Sequence, residues 1–213
     1  MTMTLYFHPL SSYCHKVLIA LYENATPFTP FLVNLGDPAS RDPFVKVWPI
    51  GKFPVIVDGA RMVPESSIII EYLDQHHPGP TKFIPADPDL ARQCRMRDRF
   101  YDLHIHNHMQ RIVGDRIRPA DKKDPFGVEQ AQATMQTALS MVDEEMAGRT
   151  WAMGEAFTLA DCAAAPALFY ADKITPLTAY KNAAAYLARL VAHPSYARAL
   201  KEAEPFFQYF PKA

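Results

Sequence analysis

Residues 77–89 read HPGPTKFIPADPD, four prolines and one glycine in a single short stretch. Proline fixes φ and lacks a backbone donor, so such a stretch sustains neither a helix nor a central strand. It divides the 213-residue chain into two parts whose hydrophobic patterning differs. A chain of this length holds one large domain or two small ones, and the break favours two. The expected bounds are 1–77 and 89–213, with 78–88 as the linker.

Before the break, short β-like runs alternate with helical ones. Thr4–Phe7 is a short apolar run, and a helix pattern follows from Ser12 to about Glu23. FTPFLVNL (28–35) suits a strand in which Pro30 must sit at an edge or at the start. After a proline-rich loop, PVIVDGARMV holds two short runs joined at Asp58-Gly59, a strong hairpin signal. ESSIIIEYLDQHH then places Ile68, Ile69, Tyr72 and Leu73 at helical spacing. The order is β-α-β followed by β-β-α, a small mixed sheet with helices on it.

After the break the patterning is helical throughout: about 88–113, 128–147, 158–171 and 180–192, with a shorter helix near 195–203. In FTLADCAAAPALFYA, Thr158 can cap a helix while Asp161, three residues on, reaches back to complete a capping box. The alanines permit close approach, which predicts the central helix of an all-α bundle, and Pro166 is expected to kink it or leave one carbonyl unpaired.

Charge and cysteine usage exclude several classes of function. A net charge of −1 lacks the surplus of Lys and Arg that nucleic acid or an anionic membrane requires of a partner. No apolar run approaches the roughly 20 residues needed to span a bilayer. MTMTLYFHP has no basic segment followed by an apolar one, so no secretory signal is expected. Three widely spaced cysteines, Cys14, Cys94 and Cys162, suit a reducing cytoplasm better than a disulfide framework.

Four local stretches, in order and suitably separated, resemble the cytosolic glutathione transferase family. SSYCHKVLIAL (11–21) resembles its S-x-x-C/S-x-x-V-x-I-A-L segment, and GKFPVI (51–56) its G-K/Q-V-P-V-L segment. VPESSIIIEYL (63–73) is similar to E-S-x-A-I-x-x-Y-L, and FTLADCAAAP (157–166) to the capping-box segment of the helical domain. The resemblance spans the chain. It implies a thioredoxin-like α/β N-terminal domain, an all-α C-terminal helical-bundle domain, and a homodimer that detoxifies small hydrophobic electrophiles with glutathione as co-substrate and no metal.

The resemblance also implies roles for particular residues. The residues alone leave Pro54 an ordinary trans proline opening a strand; the family implies a cis bond that turns the backbone of Phe53 towards the cysteinyl unit of glutathione. Ser66 is a good N-cap in its own right. A helix N-terminus is also a carboxylate site, so Ser66 would hold the γ-glutamyl carboxylate and Glu65 the neighbouring ammonium. Lys52 would reach the glycine carboxylate. Trp48 stands where the family more often has Asn and is a departure from the pattern.

In the first segment the family activates a sulfur that belongs to glutathione. A thiol with a pKa near 8.5 is mostly protonated at neutral pH, and a donated hydroxyl proton beside a helix N-terminus favours the thiolate. The candidates are Ser11, Ser12, Tyr13 and Cys14. Alignment of VLIAL puts Ser11 at the catalytic serine of theta-, delta- and zeta-like classes, with Ser12 next to it as a cap and runner-up. Cys14 makes an SxxC where a dithiol enzyme has CxxC.

RQCRMRDRFYDLHIHNHMQRIV (92–113) carries two apolar faces, which fits a helix with core on one side and a partner copy on the other. Cys94, Tyr101, Ile105, Met109 and Ile112 share one face; Met96, Phe100 and Leu103 lie nearly opposite. Arg97, His104, His108 and Arg111 form one flank, and Arg95, Arg99 and His106 the other. Tyr101, His104, His108 and Arg111 are the candidates for the second substrate. His104 and His108 have i, i+4 metal-ligand spacing without the acid that motif needs, so no metal is expected. Alternatives to conjugation remain: a glutathione-dependent cis-trans isomerase of a small dicarboxylic enone, a thiol transferase using Cys14, or a non-enzymatic interaction protein. The aromatic tail EPFFQYFPKA would cover the cleft's apolar wall or pack on the bundle.

Overall fold

The computed structural model describes residues 3–211. Its first half is a sheet of β1 (Thr4–Phe7), β2 (Thr29–Leu32), β3 (Val55–Asp58) and β4 (Arg61–Pro64), in the order β2-β1-β3-β4. β1 runs parallel to β2 and antiparallel to β3, and β3 and β4 form an antiparallel hairpin. Pro30 lies on β2, the edge strand, where its missing N–H interrupts no inner ladder. The hairpin turns at Gly59-Ala60, and Gly59 has φ 60°, a left-handed conformation glycine adopts without steric cost.

Helices α1 (Ser12–Glu23) and α3 (Ser66–His76) pack beside the sheet. The stretch expected as a loop between β2 and β3 contains a further helix, α2 (Pro38–Val47). Asp37 caps it by accepting from the Ala39 N–H at 3.0 Å, and Pro38 sits in the first turn, where no intrahelical donor is needed. Phe44 is its only fully buried residue, and Pro43 lies inside it. It therefore shows no apolar stripe by which a helix is read from sequence.

The second half is helical: α4 (Pro88–Phe100), α5 (Asn107–Arg116), α6 (Pro125–Met146), α7 (Leu159–Asp172), α8 (Lys181–Ala192) and α9 (Pro194–Ala203). A π-helical turn, Tyr101–His106, joins α4 to α5 without leaving helical backbone angles, so 88–116 is one long rod. The last helical element among the described residues is a 3-10 turn, Glu204–Tyr209. α7 is central, with twelve of fourteen residues buried, and it runs on through Pro166. Its alanines let α1 and α4 approach closely, so one apolar core joins Leu5, Leu18 and Ile69 of the first half to Ile105, Leu139 and Leu168 of the second. The apolar face foreseen in 92–113 is buried as expected: Cys94, Tyr101, Ile105, Met109 and Ile112 are at most 6% exposed.

The capping box at α7 is present and does more than cap. The buried Asp161 carboxylate accepts from the Thr158 N–H (2.9 Å) and hydroxyl (3.1 Å), the Ala152 N–H (2.8 Å) and the Tyr186 hydroxyl (2.6 Å). It ties α7 to the loop before it and to α8. Asp161→Ala leaves several buried donors without an acceptor and is expected to lower the unfolding free energy by about 3 kcal/mol. Urea unfolding with an unchanged m-value reads this directly; a loss within error of zero would contradict it.

Candidate functional site

The loop between β1 and α1 is fixed from several directions. The Ser11 N–H donates to the His8 carbonyl at 2.9 Å. The His15 ring bonds the Pro9 carbonyl at 2.6 Å, and the Tyr170 hydroxyl of α7 donates to the Leu10 carbonyl at 2.8 Å. Ser11 is the N-cap of α1, and its Oγ accepts from the Cys14 N–H at 3.3 Å. As an acceptor there, its own hydroxyl proton stays available.

The other three candidates of this segment are committed elsewhere. Ser12 is 5% exposed, and its Oγ lies 2.5 Å from Nε2 of His106. The Gln110 side-chain amide also meets that nitrogen, at 3.2 Å. An amide nitrogen only donates, so Nε2 is the bare acceptor and the Ser12 hydroxyl gives its proton to it. Tyr13 stacks on His106 at 4.1 Å and donates to the Asn107 side chain at 3.1 Å; burial, then Asp102, raise its phenol pKa. Cys14 is fully buried, and burial pushes its thiol up to about 12, so it supplies no thiolate near neutral pH.

A cavity of about 500 Å³ opens between the first half and the long rod. Five of the seven residues expected to bind glutathione line it: Lys52, Phe53, Pro54, Glu65 and Ser66. Ser11 and Ser12 do not, though Tyr13 does. The Phe53–Pro54 peptide bond is cis. Glu65 precedes α3 with φ 71°, a conformation of order 1–3 kcal/mol above the usual basins for a residue with a side chain, and of a kind that clusters at binding sites. Trp48 packs into the cavity wall.

The opposite wall comes from the rod and includes Asp98, Arg99, Asp102, Leu103 and Asn107. Behind it lies Lys16, 1% exposed, with its ammonium 2.5 Å from Asp98 and 2.9 Å from Asp102. Ser67 accepts from Lys16 at 2.8 Å and donates to Asp98 at 2.7 Å. Burial alone would lower the Lys16 pKa; Asp102 and Asp98 outweigh it and hold the ammonium above its ordinary value.

The structure does not bring the expected second-substrate residues Tyr101, His104, His108 and Arg111 to this cavity. The Tyr101 ring is 2% exposed in the core, His104 sits against Phe100, and Arg111 pairs with Asp124 at the start of α6 (3.1 Å). That flank of the rod faces α6, which also takes Arg97 through Glu145. Arg95, Arg99 and His106, the other flank, turn towards the first half. The spacing alone gave two flanks and no means to choose between them.

The aromatic tail does reach the β1–α1 loop. Phe206 meets the His8 ring edge-on at 5.2 Å, His8 stacks on Phe53 at 6.1 Å, and Phe210 stacks on Tyr170 at 5.5 Å. Arg116 at the end of α5 holds the Pro211 carbonyl at 3.2 Å. Lys212 and Ala213 of the tail lie outside the described residues.

Residues 5–81 match the family model for the glutathione S-transferase N-terminal domain, and residues 125–189 that for the C-terminal domain. A stringent starvation protein A homologue from Coxiella burnetii is 27% identical over 205 residues, covering 95% of this chain and 93% of its own. A maleylpyruvate isomerase from a Ralstonia species is 28% identical over 212 residues, covering 95% and 99%. Among solved structures, a glutathione S-transferase from Methylobacillus flagellatus with glutathione bound superposes with a TM-score of 0.85 at 26% identity, covering 93% of this chain and 98% of that one.

His15 and His106 give this region a pH dependence of stability. Burial lowers the pKa of His15 to about 4 and, with Lys16 and His15 adding to it, that of His106 to about 3. Below pH 6.5 the unfolded chain binds two protons that the native state does not. Stability is therefore flat above that pH and falls below it, by at most about 1.4 kcal/mol per pH unit per histidine. Urea unfolding is expected to show a loss of about 2–3 kcal/mol from pH 7.5 to pH 5.5, with a shallower loss in His106→Gln. Equal stability at the two pH values would contradict neutral buried imidazoles.

Proposed function

Because the chain belongs to the glutathione S-transferase family, we propose that it binds glutathione in the cavity between α3 and α4 and transfers the sulfur to a small hydrophobic electrophile. The observation that carries this reading is the convergence of Lys52, Phe53, cis-Pro54, Glu65 and Ser66 on one cavity from two separate stretches of sequence. Lys52 takes the glycine carboxylate, and the Phe53 backbone pairs with the cysteinyl unit as an added strand would. Glu65 pairs with the γ-glutamyl ammonium. Ser66 and the free amides at the start of α3 take the adjacent carboxylate.

Ser11 then donates its proton to the glutathione sulfur. Three facts support it over its neighbours: the Ser12 proton goes to His106, the Tyr13 proton to Asn107, and Cys14 is buried. The N-terminal dipole of α1 adds to the stabilisation of the thiolate. Sulfur attacks the electrophilic carbon, the leaving group departs with its electron pair, and the thiol proton passes to solvent. The acceptor lies on the side of the tail, where Phe206, His8 and Phe210 offer an apolar wall.

A homodimer is supported by Ile68, Met96 and Leu103, which remain 53%, 50% and 38% exposed on α3 and the rod. The three cysteines are all free, which suits a reducing cytoplasm. The relative named as a maleylpyruvate isomerase supports a second reading, in which glutathione acts as cofactor on a small dicarboxylic enone. The relative named for stringent starvation carries no activity in its name, so catalysis rests on the site itself.

Millimolar glutathione is expected to raise the melting temperature, and its failure to do so would defeat the reading in favour of a non-enzymatic role. Ser11→Ala is expected to cut kcat/KM towards an aryl halide roughly 100-fold, as loss of one donor to a developing anion does. It should also raise the pH at which bound thiol ionises. Cys14→Ala keeps activity within about twofold, since packing alone is changed. Disulfide reduction lost only in Cys14→Ala would instead establish the thiol transferase.

A further inference from the structure

Seven charged side chains line the cavity, and four of them are already engaged in ion pairs within the protein. Arg95 forks onto Glu71 through two bonds of 2.8 and 2.7 Å. Asp98 and Asp102 share the buried Lys16 ammonium. That leaves Lys52, Glu65 and Arg99, which are exposed and have no ion-pair partner among the described residues. The unpaired set is thus two cations and one anion. Glutathione with its thiol protonated carries two carboxylates and one ammonium, the complement of that set.

The position of Arg99 follows from the register of α4 against α3. Arg95 meets Glu71, and Asp98 meets Ser67 at 2.7 Å, so the two helices run antiparallel past one another. Arg99 is one turn beyond Arg95 on the same side of the rod, which brings it level with the first residue of α3, Ser66. Lys52 stands at the other end of the cavity, before Phe53 and cis-Pro54. We propose that Arg99, supplied by the helical half, binds the α-carboxylate of the γ-glutamyl end of glutathione, opposite Ser66 and the α3 amides. This rests on the glutathione reading above and adds to it a residue that the site's sequence segments do not contain. A guanidinium suits the role because its planar fork matches a carboxylate with two parallel bonds. Until the ligand arrives, an exposed Arg99 stays hydrated, so the empty site bears no buried unpaired charge.

The test separates the two carboxylates by calorimetric titration with three ligands. These are glutathione, 4-aminobutyryl-cysteinylglycine (which lacks only the γ-glutamyl α-carboxylate) and glutathione amidated at its glycine. The wild-type protein is expected to prefer glutathione to either analogue by about tenfold. In Arg99→Ala the preference over 4-aminobutyryl-cysteinylglycine falls several-fold, while the preference over the glycine amide persists. Lys52→Ala shows the reverse pattern, and Arg99→Lys keeps part of the lost preference because it keeps the charge without the fork. Equal weakening of all three ligands in Arg99→Ala, or no weakening, overturns the assignment and leaves the glutathione reading standing. No binding of glutathione to the wild-type protein overturns both.

Discussion

A lysine ammonium buried between two carboxylates holds this structure in its working arrangement. Lys16 belongs to α1, Asp98 to α4, Asp102 to the π turn, and Ser67, which bonds both Lys16 and Asp98, to α3. Such a cluster is not a large source of stability, since desolvation cancels much of the Coulomb attraction. Its effect is to penalise any other register, because sliding one helix by a turn would leave a buried charge without a partner. With α4 fixed against α3, the rod's inner wall is fixed too. The pairing of Arg95 with Glu71 and the free position of Arg99 follow from it.

The π turn serves the same contact. Asp98, Asp102 and His106 recur every fourth residue, and all three are buried facing α1. In a regular α-helix a fourth-residue row drifts about 40° per step, so the third member would turn away from α1. A π turn has more residues per turn and straightens the row. Spanning Tyr101–His106, it keeps His106 within 2.5 Å of the Ser12 hydroxyl. The polar row thus reaches the N-terminal end of α1, beside the residue that caps it.

The sequence made some of this legible and concealed the rest for identifiable reasons. Hairpin, linker and capping box depend on local chemistry: a glycine free to take positive φ, prolines without donors, an acid three residues from a threonine. The hairpin and the capping box are where the pattern placed them. α2 escaped notice because a helix that buries one side chain has no stripe to read. On the rod, periodicity gave the buried face correctly, yet the choice between two cationic flanks needed long-range partners. Lys16 lies more than eighty residues from Asp98, and nothing in either segment announces the pairing. Tyr13 and Asn107 entered the cavity wall through the same hidden contact.

The same network also divides labour among four adjacent side chains that look interchangeable as a string. A hydroxyl serves a thiolate only if its proton is unclaimed and its oxygen is held at the helix end. Ser12 loses the first condition to His106, an imidazole that burial keeps neutral and therefore able to accept. Tyr13 loses it to Asn107. Cys14 is buried and gives its backbone N–H to the Ser11 oxygen, and that bond orients Ser11 at the helix end. In the proposed reaction Ser11 is therefore the donor left by what its neighbours have already bonded. The neighbours are so bonded because Asp98, Asp102 and His106 bring the rod down onto α1. On the proposed reading, sulfur chemistry at the loop and ligand recognition at the cavity wall are two consequences of one helix-on-helix register.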